Sequence, residues 1–323
     1  VLLILFSLSL PGLVAQTSKR EGTITLPAGV SVSHTFSTDR PSTISRTGSH
    51  IAGLCSDKVV RVWKFPSGDL VRSLDTRSKP VTGLQFSDDG RLLAISNEKG
   101  SIEIWEIASW KVQVVELAAA SPIYYPAISP NNHLLAGATD YDAEVWDLTT
   151  GERLATMRTS FGSPNSLAFS PDSTLLATAD GDTAIRVYNA RTGALRSTAM
   201  DRLLESLVVT FSADGKTLLA GGADRIISLS DPTSGKTLRS LPGQPGVLSN
   251  IVVSDNGKQA AALYYPPGHF DHLSTALLWD LATATVRTTF QEPGVSLSGV
   301  AFAQDRFLLT GTSGSELGVW SMR

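Results

Sequence analysis

The chain has 323 residues, of which 42 % are apolar and 18 % charged, and 27 Lys+Arg against 30 Asp+Glu leave a formal net charge of −3. That balance suits a folded chain with a large core and excludes a basic surface built for nucleic acid or an anionic membrane. A single cysteine, Cys55, rules out an internal disulfide and is expected as a buried, inert thiol.

Residues 1–15 (VLLILFSLSLPGLVA) form an apolar run broken at Pro11-Gly12, with the character of a secretory signal cut after Ala15. No Met or basic stretch stands ahead of it, so the sequence is expected to lack its true start, and the run is short for a span of roughly 20 residues. Periplasmic or secreted location is the expectation, with cleavage or anchoring left open, and no other stretch is apolar enough to cross a bilayer. Residues 16–27 read as a polar leader, and residues 28–36 (AGVSVSHTF) alternate as a strand with Val30 and Val32 on one face.

Beyond this point the sequence repeats. Its clearest copy, residues 163–200, holds four short apolar runs separated by the turn chemistries SPDS, DGDT and ARTG, the pattern of a four-stranded antiparallel meander. The residue ending each first strand is Ile44, Phe86, Ile128, Phe169, Phe211, Val253 and Phe302, with steps of 42, 42, 41, 42, 42 and 49. The residue ending each third strand is Trp63, Trp105, Trp146, Tyr188, Ser230, Trp279 and Trp320, with steps of 42, 41, 42, 42, 49 and 41. Two rulers in phase, with a period near 40–45 residues, mark propeller blades. The fold expected is all-β: a seven-bladed β-propeller of four-stranded antiparallel blades over residues 28–323. The last unit stops after its third strand. Val32 precedes Ile44 by 12 residues as Leu74 precedes Phe86, so residues 30–34 are expected to supply the missing outer strand and close the ring.

Second strands centre on small residues, Ala52, Ala94, Ala136, Ala177, Ala220, Ala261 and Thr310, which lets neighbouring sheets approach. The turn after the third strand carries Gly68, Gly151, Gly193 and Gly235 at one place, where a positive φ is needed. Trp110 and Ala284 stand there in the second and sixth units, so those turns are expected to differ. Trp110 reads either as a turn aromatic packed on its own blade or as a small contact patch.

Trp146-Asp147, Trp279-Asp280, the FSPD-like turns, and an Asp six residues before the third-strand marker (Asp57, Asp140, Asp182, Asp224) carry a resemblance. On these residues the chain resembles the WD-repeat β-propeller family. The resemblance implies that each such Asp sits in the turn between second and third strands and joins a network with a Trp, a Ser or Thr, and a His. The Gly-His dipeptide that supplies that His is absent, and the five histidines (34, 50, 133, 269, 272) do not recur at blade spacing. A partial network and a divergent, bacterial-type member are therefore expected.

No G-x-S-x-G, phosphate loop, dinucleotide fingerprint or H-E-x-x-H occurs, and neither cofactor nor catalytic residue is expected. Asp140/Asp142 and Asp180/Asp182 are paired carboxylates that either cap turns or hold a hard cation. The sixth unit is longer by about seven residues within 264–274 (YYPPGHFDHLS), which gathers Tyr264, Tyr265, His269, Phe270, Asp271 and His272. Those residues suit an aromatic recognition loop or part of a metal site. Four residues before each first-strand marker stand Arg40, Thr82, Tyr124, Asn165, Leu207, Ser249 and Ser298, at the same end of the blades as that loop, as contact surface or channel lining. The function expected is a non-catalytic scaffold, a monomeric ring that binds a protein or peptide through Tyr124, Asn165 and residues 264–272. Its rivals are a metal-assisted hydrolase or lyase on the same face and a propeller domain of a larger sensor or assembly protein.

Overall fold

The computed structural model describes residues 16–17, 20–25, 42–55, 57–65, 67–115, 121–159, 163–180, 182, 184–201, 206–266, 274–291, 297–303, 305, 307–312 and 316–321. Every regular element among them is a strand. The strands form seven sheets in chain order, spanning 42–75, 81–115, 124–158, 166–201, 206–241, 247–290 and 297–321. Each is an antiparallel meander, as the short apolar runs and polar turns predict; the fourth, for example, runs Ser166–Phe169, Leu175–Ala179, Ala184–Asn189 and Leu195–Asp201.

Two strands come from the segment read as a polar leader. Arg20–Thr25 pairs antiparallel with Glu316–Ser321, Gly22 opposite Val319 and Ile24 opposite Leu317, and so becomes the outer strand of the last sheet. This corrects the assignment of that edge to residues 30–34, which themselves lie outside the described residues, as do residues 1–15. Gln16–Thr17 pairs in parallel with Thr288–Thr289 and gives the sixth sheet a fifth strand, a departure from four antiparallel strands per blade.

One serine repeats where the first strand ends in six of the seven sheets: Ser45, Ser87, Ser129, Ser170, Ser212 and Ser254, all buried. Each hydroxyl accepts the N–H five residues on, at 2.8–3.0 Å, which starts the second strand. In five of these turns it also donates to the Asp or Asn two residues on, as in Ser129 to Asn131 (2.7 Å) and Ser212 to Asp214 (2.6 Å).

The core is made between sheets. Val62 and Leu74 of the first pack on Leu84 and Phe86 of the second. Equivalent clusters join second to third, third to fourth, fourth to fifth, fifth to sixth and sixth to seventh. Sheets apolar on both faces and stacked face to face in sequence are the architecture of a propeller.

Candidate functional site

In five of the seven sheets the backbone leaves regular pairing where the first strand begins. The register slips between Val81 and Gly83, Tyr124 and Ala127, Ser206 and Val208, Leu248 and Asn250, and Leu297 and Gly299. Bulges of this kind redirect side chains. They fall on or beside the recurring position four residues before each first-strand marker. Thr82 is turned inward, its hydroxyl donating to the Ile123 carbonyl of the next sheet and lying 3.0 Å from Ser96 Oγ. Ser249 is also buried. Asn165, whose N–H bonds the Ala179 carbonyl at 2.7 Å, is half-buried and lines a cavity of about 320 Å³. That cavity is walled by the first strands of the second to sixth sheets, with Thr82, Tyr125, Asn165, Val209 and Asn250 among its lining and Arg46 and Asp88 as its charged residues. Arg40 lies outside the described residues.

Tyrosines crowd the same end of the sheets. Of six in the chain, Tyr124, Tyr125 and Tyr141 belong to the third sheet and Tyr264 and Tyr265 to the sixth; only Tyr188 stands elsewhere. Tyr124 and Tyr125 are half-buried neighbours with ring centroids 6.4 Å apart, and Tyr125 holds φ at 50°. Tyr141 is 73 % exposed in the turn after the second strand. Burial pushes the Tyr124 phenol up, helped by the carboxylates of Asp140 and Glu98. Tyr265 is half-buried, and burial pushes its phenol up to about 12 against a hydrogen bond with Ser249, so it stays neutral near pH 7. Tyr264 departs from the expectation of a surface contact. It is 2 % exposed, in the core between the fifth and sixth sheets, with its ring 6.2 Å from that of Trp279. His269, Phe270, Asp271 and His272 lie outside the described residues. Among the described residues no group of three or more His, Cys, Asp or Glu is placed to hold a metal ion.

The four turn aspartates stand at this end too, with different partners. Asp57 and Asp182 each take an N–H two residues on and grip an arginine four residues on. Asp57 meets Arg61 at 2.9 and 2.5 Å, and Asp182 meets Arg186 at 2.9 and 2.6 Å. Arg186 also bonds the buried Asp180 (2.5 Å), so the pair Asp180/Asp182 shares an arginine. Burial raises the Asp180 carboxyl, whereas Arg186 holds Asp182 below the usual carboxylate range. In the third sheet Glu144 occupies the arginine's place and pairs instead with Arg153 (3.0 Å), leaving Asp140 exposed. Asp224 receives the Ile226 N–H at 3.3 Å.

The tryptophan end of the resembled network survives in one sheet. Trp320 Nε1 donates to Thr310 Oγ1 at 2.9 Å. Strand register puts Thr310 two residues beyond Leu308, the partner of Trp320; Gly53 and Ala262 hold that place opposite Trp63 and Trp279. Neither has a side-chain acceptor, and the buried indole N–H groups of Trp63 and Trp279 have no partner. Register also shows that Ala52, Ala94, Ala136, Ala177 and Ala261 share one place, while Ala220 and Thr310 fall one residue further along.

Comparison with known proteins agrees with this geometry. The family model "WD domain, G-beta repeat" matches residues 68–106 and 151–189. Each match begins with one sheet's outer strand and ends just past the third-strand aromatic of the next, Trp105 or Tyr188. Transducin beta-like protein 3 of Rattus norvegicus is 27 % identical over 70 % of this chain, which spans 29 % of that protein. An uncharacterized WD repeat-containing protein of Synechocystis sp. is 28 % identical over 44 % of the chain and 41 % of its own length. Apoptotic protease-activating factor 1 of Danio rerio is 30 % identical over 43 % of the chain and 11 % of its own length. The chain therefore spans about a third of the transducin beta-like proteins it matches.

Proposed function

We propose that this chain, which matches the WD-repeat model in two segments and resembles WD-repeat proteins, is a WD-repeat propeller whose seven sheets close into a ring serving as a non-catalytic platform for a protein or peptide partner. The partner is met by the face that carries the turns between second and third strands, around Tyr124, Tyr125, Tyr141, Asn165 and Tyr265. The observation behind this is the gathering of four tyrosines that reach the surface, Tyr124, Tyr125, Tyr141 and Tyr265, at one end of the sheets, beside a cavity walled by five first strands. Tyrosine supplies apolar area with a polar tip at little cost in side-chain entropy, and it is enriched where proteins meet.

Ring closure is supported from the opposite end of the cavity. Arg46, in the first sheet's opening turn, ion-pairs with Asp88 of the second (3.5 Å) and bonds Asp255 of the sixth. Asp305 of the seventh accepts the N–H groups of Asp255 and Asn256 at 2.6 and 2.9 Å. Turns of the first, second, sixth and seventh sheets thus meet around one axis. The apolar run 1–15 favours export, which N-terminal sequencing of the protein from an envelope fraction would check.

The functional test uses the full chain as bait, with Tyr141→Ala and Tyr265→Ala variants beside it. Partners identified by mass spectrometry are then purified and titrated directly. The face is supported when Tyr141→Ala keeps the parent's unfolding midpoint, Tyr265→Ala, which also loses packing on the cluster between the sixth and seventh sheets, still unfolds cooperatively above the assay temperature, and both bind a purified partner at least tenfold more weakly. Equal affinity for parent and variants removes the face from the account.

A further inference from the structure

A second surface lies on the outer rim, where the first sheet meets the second. The turn after the third strand has one geometry in six sheets. An N–H returns to the carbonyl four residues back at 2.7–2.9 Å, from Gly68, Trp110, Gly151, Gly193, Gly235 and Ala284. The glycines take φ between 67° and 75°, and Trp110 takes 54°. A bulky L-residue is disfavoured in that conformation, and glycine performs the same turn without strain. The expectation that Trp110 would give a different turn is thus overturned: the turn geometry is shared by all six sheets, and the half-buried indole packs against the apolar cluster between the first and second sheets.

What the indole does is cover the rim. Arg72, on the outermost strand of the first sheet (Leu70–Asp75), stacks over it with the guanidinium carbon 5.9 Å from the ring centroid. Leu70 and Val112, register equivalents opposite Trp63 and Trp105, flank the pair at 56 % and 43 % exposure. A tryptophan and an arginine set among exposed aliphatic side chains is the composition of an interface centre. Lys64, Arg72 and Lys111 make no ion pair among the described residues; of the carboxylates on this rim, Asp75 is paired with Arg77, and Asp69 and Glu106 accept the Ser67 and Ser109 hydroxyls, which leave their charge in place. The outer edge of Leu70–Asp75 is unpaired among the described residues. Such an edge can accept another strand, because the sixth sheet's outer strand already takes Gln16–Thr17 in parallel.

We propose that this rim binds an extended, acidic segment of a partner protein. The segment adds as a strand along residues 70–75, sets an apolar side chain against Leu70 and Trp110, and places a carboxylate on Arg72.

The test is selection of a random displayed-peptide library on the full purified chain, followed by titration of synthetic versions of the enriched peptides. The expected result is an apolar–acidic alternating family that slows amide exchange in residues 70–75. Those peptides should bind Trp110→Gly, which keeps the turn, at least tenfold more weakly, and Arg72→Glu should reverse the charge preference. No enriched family, equal affinity for Trp110→Gly, or unchanged exchange at 70–75 would overturn the proposal. So would peptides displaced by Tyr265→Ala rather than by Trp110→Gly, which assigns them to the tyrosine face. A concentration-dependent dimer abolished by Trp110→Gly would also overturn it, by making the occupant a second copy of the chain.

Discussion

At the scale of single residues, the fold turns on whether buried polar groups find partners. Trp320 has an acceptor in Thr310, whereas Trp63 and Trp279 face Gly53 and Ala262 and have none. Thr310→Val keeps the shape and removes the acceptor, so unfolding free energy should fall by about 1–3 kcal/mol, read from a urea midpoint. An unchanged midpoint would show that the bond contributes nothing. Glycine matters most where a side chain would strike backbone: a Cβ at Gly235 (φ 71°) would lie 2.3 Å from the Thr198 carbonyl of the preceding sheet. Gly235→Ala should therefore cost more than the roughly 1–2 kcal/mol of left-handed backbone strain alone, and a smaller loss would mean that the fourth sheet's edge yields. The arginine beneath Asp180 is the most consequential ion-pair partner. Asp180 is fully buried, so Arg186→Met should destabilise by about 3–5 kcal/mol. The exposed Asp57–Arg61 pair, by contrast, contributes little.

At the scale of the element, five of the seven sheets have a serine at the end of the first strand bonded to a carboxylate or amide two residues on. Ser170 and Ser212 donate to Asp172 and Asp214, and these hydroxyls, with backbone N–H groups, hold both carboxyls below the usual range. A carboxyl depressed in the folded state stabilises fully above its unfolded pKa, near about 4, and the contribution is lost as pH falls through the folded value. Stability should therefore drop on acidification below pH ~4, and the Asp172→Asn/Asp214→Asn variant should show a shallower acid slope. Equal slopes would contradict this. The strands and their turns were legible because period-two apolar runs and Gly, Pro and Asp punctuation are local signals. The serine was in plain view within the FSPD-like turns, yet its hydroxyl's pair of hydrogen bonds, one accepted and one donated, needs the second strand alongside to be visible. Trp110 misled for the opposite reason: packing over its ring under Arg72 outweighs a local backbone preference.

At the scale of the whole molecule, six successive sheet interfaces have apolar clusters, and the chain's beginning supplies the outer strand of the last sheet, Arg20–Thr25 against Glu316–Ser321. That an N-terminal segment serves the last sheet followed from a final unit one strand short. Which segment does so did not, because residues 30–34 alternate apolar and polar more cleanly than Arg20–Thr25, whose REGTIT carries a single apolar residue, Ile24. The candidate face was legible as a place, through the recurring position before each first-strand marker and the long sixth unit. The burial of Tyr264 and the inward turn of Thr82 and Ser249 were not, since both depend on the neighbouring sheet. The measurement that bears most directly on the closed ring is urea unfolding of the chain lacking residues 1–25 beside the intact chain. Closure predicts that the intact chain unfolds in one cooperative step, and that the shortened one aggregates or melts broadly with its Glu316–Ser321 edge bare. A shortened chain that stays monomeric and unfolds at the same midpoint would contradict it.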